Sequence, residues 1–458
     1  MTPLLQPDRG QPARALVLVH PDDFAGWLAA QPERTRAIVA AHRLTGKAGN
    51  RAILPGDGDD WSMLLVCNDA VDAPWRLASL AESLPEGSYR LASGEVGAAG
   101  LGWIVAQHRF ERYRKDEAPA GPRVLLTPDP AGIAEIERLA AATITVRDLV
   151  DTAAGDLGPA ELETAVMALA ETHGATLTVT RGRELEAGYP MIHAVGQAAA
   201  KGREPRLIEL EWGWPDHPRV ALVGKGVTFD TGGLDLKPSA AMRLMKKDMG
   251  GAAHALALAG LVMAARLPVR LHLLIPAVEN ALGGGAFRPG DVLRSRKGLT
   301  VENTNTDAEG RLILADALTR AAEGAPALIL DYATLTGAAR VALGPDLPPL
   351  FSNDEALAAD LLAAGIAEHD TLWRLPLWDA YDEMLKSDVA DLVNTPDGGF
   401  AGAITAALFL RRFVPREIAW AHLDVFAWRP AAKPGRPKGG DAFGLRAAWR
   451  VLKARYPA

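Results

Sequence analysis

The run Asn305-Thr306-Asp307-Ala308-Glu309-Gly310-Arg311-Leu312 sets two carboxylates and a guanidinium within five residues, beside a glycine. Such a cluster is costly to bury without a ligand, because an isolated carboxylate taken out of water shifts its pKa or finds a cation. Further charged groups stand upstream in Lys225-Gly226-Val227-Thr228-Phe229-Asp230-Thr231-Gly232-Gly233, then Lys237, then Asp248-Met249-Gly250-Gly251. Asp230, Asp248, Asp307 and Glu309 each lie in or beside a glycine-containing turn, where a small residue lets backbone approach closely. Four negative charges gathered in one place repel unless about two divalent cations sit between them, so the pattern reads as a site for two metals. Oxygen donors without a histidine motif fit Zn²⁺, Mn²⁺ or Mg²⁺, and spacing alone leaves that choice open. Taken one at a time, each of these acids reads more readily as a solvated loop residue.

Other chemistries lack their residues. The chain has no His-Glu-x-x-His, Gly-x-Ser-x-Gly, Cys-x-x-Cys or Gly-x-x-x-x-Gly-Lys-Ser/Thr pattern, which removes support for serine-triad and P-loop chemistry. His193, His254, His272 and His422 sit in apolar contexts and read as hydrogen-bonded core residues. The eleven tryptophans read as core and interface residues.

The elements that must position these acids follow an α/β pattern. Between Ala13 and about Ala142, strand-like runs at Ala15–His20, Met63–Asn68 and Val124–Thr127 alternate with helical patterns at Asp22–Ala30, Pro74–Leu84 and Leu101–Arg114. Beyond the stretch Ile144–Pro159, a helix at Pro159–His173 opens a second series with strands at Leu207–Trp212, Val220–Lys225, Val269–Ala277, Ala327–Tyr332 and Ala421–Val425. Several are continuous apolar runs, as expected of strands covered on both faces. The predicted fold is therefore α/β in two domains, residues 1–143 and 144–458, each a mixed or mostly parallel sheet flanked by helices in three layers. Chemistry falls in the second, because ligands of open α/β sheets collect at the carboxyl ends of strands, where Lys225, Asp230 and Thr334 stand. Pro430–Gly440 reads as an exposed loop.

Bulk composition narrows the function further. With 458 residues, 23% of them charged and 48% hydrophobic, the chain reads as an ordinary soluble protein with a large core. A formal charge of −7 argues against a nucleic-acid partner. No signal peptide is visible, and the apolar stretch His254–Ala265 is too short to cross a bilayer and reads as a core helix. The single cysteine, Cys67, reads as a buried small hydrophobe; it excludes an intrachain disulfide and points to a cytoplasmic location.

The octapeptide at Asn305 resembles the signature of the leucyl aminopeptidase (cytosol aminopeptidase) family, dinuclear metallopeptidases. The likeness runs from about Val146 to the carboxyl terminus and includes Val223–Gly233, Met245–Ala253, Tyr332–Ala338 and Lys386–Leu392. It implies that Lys225, Asp230, Asp248 and Glu309 hold the tighter metal and Asp230, Asp307 and Glu309 the exchangeable one, as Mn²⁺ or Zn²⁺ with Mg²⁺ or Co²⁺ as alternatives. A ligating lysine must be neutral, which a neighbouring dication favours. The resemblance also implies that a hydroxide clamped between the metals attacks the scissile carbonyl, that Lys237 stabilises the oxyanion, and that Arg311 holds a bicarbonate acting as general base. Without the resemblance, Lys237 reads as an exposed loop lysine and Arg311 as an ion-pair partner of Asp307. By the same likeness a carbonyl near Leu335 helps bind the substrate α-amine, and Met245, Thr334 and Gly337 line an apolar pocket for the first side chain, with Asn305 at the substrate site. Peptide substrates, a homohexamer and preference for apolar first residues such as Leu are the further implications.

Two segments depart from the family pattern. Asp151 and Ala153 stand where Asn and Pro are usual, and Glu279-Asn280-Ala281-Leu282-Gly283-Gly284-Gly285 replaces an Asn-Met-Pro-Ser-Gly-Asn pattern along one wall of the site. Two other readings compete. A DNA-binding or regulatory role is known among relatives, but the net charge and the absence of a concentrated basic run oppose it. A catalytically silent member of the fold should have lost one of the seven charged residues, and all are present.

Overall fold

The computed structural model describes residues 2–56, 59–67, 73–114 and 121–457. They form two compact units, Met1–Ile144 with Ala432–Pro437 and Thr145–Ala431 with Lys438–Ala458.

In the first unit six strands lie in the spatial order Leu5–Pro7, Arg123–Thr127, Gly87–Leu91, Arg14–Val19, Trp61–Val66 and Arg51–Pro55. Every neighbouring pair is parallel except the last. Trp103 and Tyr89 are fully buried, and the indole N–H is satisfied by Arg123 O at 2.8 Å. The helix expected over Leu101–Arg114 ends early, spanning Ala99–Val105. Gln107 explains the stop: its amide bonds Trp103 O and Arg123 O and receives Arg123 N, pinning a turn to the adjacent strand. The helix expected at Pro74–Leu84 is confined to Ala78–Ser83, and that at Asp22–Ala30 is a 3₁₀ turn, Pro21–Asp23, running into Phe24–Ala29. Asn68, the last residue of one expected strand, lies outside the described residues. Cys67 is half-buried against the core rather than enclosed.

The second unit is built on a sheet in the order Trp373–Arg374, Pro349–Ser352, Ala419–Asp424, Leu328–Ala333, Arg219–Gly224, Arg270–Asn280, Arg206–Trp212 and Thr176–Arg181. Its four central strands are parallel, with Leu330 in register with both Leu222 and Ala421, and antiparallel strands follow on either side. Gly226–Asp230 is a further strand, pairing with Ala277–Asn280 at the carboxyl end of its neighbour. Sequence reading takes this segment as a glycine turn, because Lys225 interrupts the apolar run. Helix Gly250–Ala264 is buried along nearly its whole length, as expected for a core helix. His254, its one polar side chain, lies 2.6 Å from Gly250 O and accepts Phe443 N at 3.0 Å. His272 and His422 are likewise buried and hydrogen-bonded, whereas His193 is half-buried.

The helix packs unusually close to the sheet. A Cβ at Gly251 would stand 2.2 Å from Tyr332 O, so only glycine allows the contact that brings Asp248 to the strand ends. The segment Pro430–Gly440, expected as one exposed loop, is exposed from Pro430 to Pro434 but buried at Gly435, which belongs to the first unit, and again at Gly439 and Gly440. No helix among the described residues is long and apolar enough to cross a membrane.

A buried ion triad braces the short antiparallel pair of Trp428–Arg429 with Gly439–Gly440 in this unit. Asp441 Oδ1 accepts Arg147 Nη2 at 2.8 Å, and Asp441 Oδ2 accepts Arg429 Nε at 2.8 Å. Burial opposes ionisation of Asp441, but the two guanidinium groups overcome it and hold the carboxyl below its usual range. Asp441→Asn should therefore destabilise the protein by about 3 kcal/mol, since two buried guanidinium groups lose the carboxylate they share. The wild-type contribution is present above the ordinary carboxyl pKa and is lost as pH falls through the depressed folded value. Urea unfolding at pH 7 checks this, and an unchanged midpoint would refute it.

Candidate metal centre

The charged residues singled out in the sequence converge at the carboxyl end of the parallel strands. Lys225 joins two strands; its N–H donates to Tyr332 O at 2.9 Å and its carbonyl accepts Ala252 N at 2.8 Å, so its position is set by strand and helix together. Asp230 ends the strand Gly226–Asp230. Asp248 lies in the 3₁₀ turn Met245–Met249, Asp307 in the turn Thr306–Ala308, and Glu309 opens the helix Glu309–Glu323, where the helix dipole favours a carboxylate. A Cβ at Gly310 would stand 2.4 Å from Lys225 Cε, so the helix start lies directly on the lysine stem.

Two ammonium groups stand among these acids. Lys225 Nζ is 2.7 Å from Asp248 Oδ2, 2.9 Å from Glu309 Oε1 and 3.0 Å from Thr334 O. Lys237 Nζ is 2.8 Å from Asp230 Oδ2 and also pairs with Asp307 Oδ1. Lys237 is therefore largely buried, and the exposed-lysine reading is corrected: the loop after Asp230 turns back, with Lys237 N donating to Thr231 O at 2.9 Å. Arg311 does not turn to Asp307; its Nη1 donates to Asn394 O at 2.5 Å.

The electrostatics show how far the acids are from comfort. Burial, then repulsion by Asp230, pushes the Glu309 carboxyl up to about 7. Burial and Asp248 raise Asp230, and burial and Glu309 raise Asp307. Burial also raises the cost of ionising Asp248, but Lys225 and Lys247 outweigh it and hold its pKa low. For Lys225 and Lys237 burial opposes the charge, and the surrounding carboxylates more than offset this, so both are held above the usual lysine range. Burial pushes Arg311 down to about 10.

Several buried polar atoms have no hydrogen-bond partner: Asp248 Oδ2, Asp307 Oδ1, both oxygens of Glu309, Asn280 Oδ1 and Arg311 Nε. Three of these oxygens lie at ionic distance from a lysine, which supplies charge to the cluster. One oxygen from each of Asp230, Asp307 and Glu309 lies within 4.8 Å of the others. Hard oxygen donors, buried and under-satisfied, fit divalent cations. With Lys225 and Asp248 alongside, the residues present could hold two.

The remaining expected residues surround this cluster. Asn305 accepts Asp307 N at 2.8 Å and thereby shapes the turn. Thr334 Oγ1 donates to Asp248 Oδ1 at 2.7 Å, Leu335 follows it, and Gly337 begins the helix Gly337–Leu343 on the exposed side. Met245 is half-buried at the start of the Asp248 turn.

Four supporting residues escaped the sequence reading. Asn280 Nδ2 donates to Asp230 Oδ1 at 2.8 Å and to Thr306 O at 3.1 Å, so the departing segment Glu279–Gly285 contributes an orienting amide. Asp235 Oδ2 receives Thr306 N at 2.7 Å and ties together the loops carrying Asp230 and Asp307. Asn394 bonds Asn303, Thr304 and Asn305 and lies just beyond the quoted Lys386–Leu392 motif. Asp424 accepts Leu335 N at 3.1 Å and Thr336 Oγ1 at 2.7 Å, fixing the turn after Thr334. Single asparagines and aspartates in loops or at strand ends give no spacing signal, which is why these were missed.

Known proteins resemble this chain in sequence and fold. Residues 144–448 match the catalytic domain of the cytosol aminopeptidase family, and residues 15–126 match the M17 aminopeptidase N-terminal domain. A protein of Syntrophotalea carbinolica named "Probable cytosol aminopeptidase" is 43% identical over 362 residues, covering 75% of this chain and 72% of that one. The crystal structure of cytosol aminopeptidase from Coxiella burnetii is 44% identical, with a TM-score of 0.94 and coverage of 99% of both chains. The bottromycin maturation enzyme BotP, solved in complex with Mn, is 34% identical with a TM-score of 0.86, covering 97% of this chain and 100% of that one. With the family's catalytic domain matched across the residues that build the acidic cluster, this chain belongs to the cytosol aminopeptidase family, the M17 aminopeptidases, and is an enzyme of that hydrolase class.

Proposed function

We propose that the protein removes the amino-terminal residue from peptides using two divalent cations, one held by Asp230, Asp307 and Glu309 and one by Lys225, Asp230, Asp248 and Glu309. The observation that carries this reading is Glu309: both its oxygens are buried without a hydrogen-bond partner in the midst of three other carboxylates. The Mn bound in BotP supports a transition metal of the same kind here. When bound, such cations supply Lewis acidity, polarising a carbonyl and acidifying water.

The chain's own groups divide the remaining work. Lys237, between Asp230 and Asp307, presents its ammonium to the oxygen on which negative charge develops. Arg311 Nε, buried without an acceptor, is the donor available to a bicarbonate ion that takes up a proton. The turn at Leu335, held by Asp424, offers a carbonyl to the substrate α-amine, which restricts cleavage to the first residue. Met245, Thr334 and Gly337 border the space for that residue's side chain and accept apolar groups such as Leu, with Asn305 shaping the turn opposite. We further propose that it works as a cytoplasmic homohexamer on short peptides.

Metal-stripped protein should be inactive on a panel of aminoacyl-amides and regain turnover when Mn²⁺, Zn²⁺, Co²⁺ or Mg²⁺ is added back separately; no activity with any of them would sink the hydrolase reading. Asp307→Asn should lower kcat/KM by roughly two orders of magnitude or more while leaving circular dichroism unchanged; near-normal turnover would refute its role as a ligand. Light scattering should give a mass of about six subunits, and a monomer would overturn the assembly.

A further inference from the structure

Resting on the aminopeptidase reading and on the bicarbonate proposed at Arg311, we infer that Asn394 is a positioning residue for the reaction. Its side-chain amide holds in place the backbone carbonyl that aims Arg311, and the same amide braces the segment leading to Asp307. A guanidinium on a long stem has many rotamers open to it, so the direction of Arg311 Nε depends on what grips the end of the side chain. Arg311 is the third residue of the helix Glu309–Glu323 and is buried, and its Nη1 is gripped by Asn394 O at 2.5 Å. The Nε left without a partner is thereby aimed by a carbonyl 83 residues further along the chain.

A small sheet outside the main one delivers that carbonyl. Leu392–Val393 lies parallel to Thr300–Glu302, with Val393 opposite Glu302, and Asn394 N continues the ladder to Glu302 O at 2.9 Å. The two chains therefore leave the sheet side by side, Asn303-Thr304-Asn305 against Asn394. The Asn394 side chain is fully buried between them and uses both halves of its amide. Its Nδ2 donates to Asn303 Oδ1 at 2.8 Å and to Asn305 O at 2.7 Å. Its Oδ1 accepts Thr304 N at 2.8 Å and Thr304 Oγ1 at 3.0 Å. Asn303 Nδ2 donates in turn to Arg288 O at 2.9 Å, and Asn305 Oδ1 receives Asp307 N, so one run of hydrogen bonds reaches from the Arg288 loop to the Asp307 turn.

Asparagine is the one side chain of this size that supplies a donor pair and an acceptor without a charge. Alanine would leave Thr304 N, Asn303 Oδ1 and Asn305 O to find other partners in a buried place. Aspartate would keep the acceptor, lose both donors and bring a further negative charge close to four carboxylates. Either change frees Asn394 O to shift, and a displacement of about an ångström there passes to Arg311 Nε, where it loosens the grip on an anion. The hydrogen bonds of Asn394 reach Arg311 and the residues before Asp307, and so it acts through them on the reaction.

The test assays the full-length protein, saturated with Mn²⁺ in carbonate-free buffer, on leucyl anilide across a series of bicarbonate concentrations. In Asn394→Ala the bicarbonate concentration for half-maximal turnover should rise about tenfold, while KM for the anilide stays within about twofold and saturating bicarbonate restores most of kcat. Asn394→Asp, which keeps the shape of the side chain and serves if the alanine variant does not fold, should show a larger rise because its charge also repels the anion. A residue acting on stability alone would lower the thermal midpoint and leave the half-activating concentration where it was. That result in a folded variant overturns the inference while sparing the aminopeptidase reading. Wild-type turnover that ignores bicarbonate overturns the role proposed for Arg311 and the inference with it, and absence of wild-type cleavage under every metal overturns the underlying reading.

Discussion

Mutual repulsion among Asp230, Asp248, Asp307 and Glu309 is the constraint around which the catalytic unit is organised. Four carboxylates, three of them almost fully buried, cannot share one end of a sheet at neutral pH without counter-charge. Two lysines stand among them, and the rise of the Glu309 carboxyl to about 7 shows that lysines alone leave the cluster strained. The elements that deliver the acids are accordingly rigid: two parallel strands, a buried helix and the start of another. Rigidity matters because relaxation of any one element would let the charges separate and disperse the site.

Close packing supplies that rigidity. The turn carrying Asp248 leads directly into Gly250–Ala264, a helix whose apolar residues leave it no exposed face, so its depth is set by contact with the strands beneath. Glycine at 251 and 310 removes the side chains that would hold helix and strand apart. Around this frame a ring of neutral amides and hydroxyls orients the acids without adding charge: Asn280 on Asp230, Thr334 on Asp248 and Asn305 on the Asp307 turn. Neutral partners suit that position, since further cations would compete with a metal and further acids would add repulsion.

Much of this was legible beforehand. The central strands appear as continuous apolar runs because both faces are covered, and the helix Pro159–His173 coincides with its apolar pattern and proline start. Short and edge elements were not visible: Thr176–Arg181 and Pro349–Ser352 lie beside the core strands and carry weak patterns, and Gly226–Asp230 was hidden by the lysine before it. The helix after Ala99 is shorter than its pattern because a side-chain amide, not a helix breaker, ends it.

The sequence by itself determined which chemistry was available: seven charged residues in glycine-punctuated motifs, an oxygen-rich donor set and no serine-nucleophile or P-loop motif. Residue type and local spacing carry that information because metal affinity depends on donor chemistry. Only the tertiary structure decided which groups face one another. It took Arg311 away from Asp307 and gave it to Asn394, drew Lys237 into the cluster, and set Lys247 and Arg340 against one aromatic ring. These pairings join residues far apart in the chain, and the physical reason they escape sequence is that they depend on the register of parallel strands and the depth of a buried helix, which packing alone fixes.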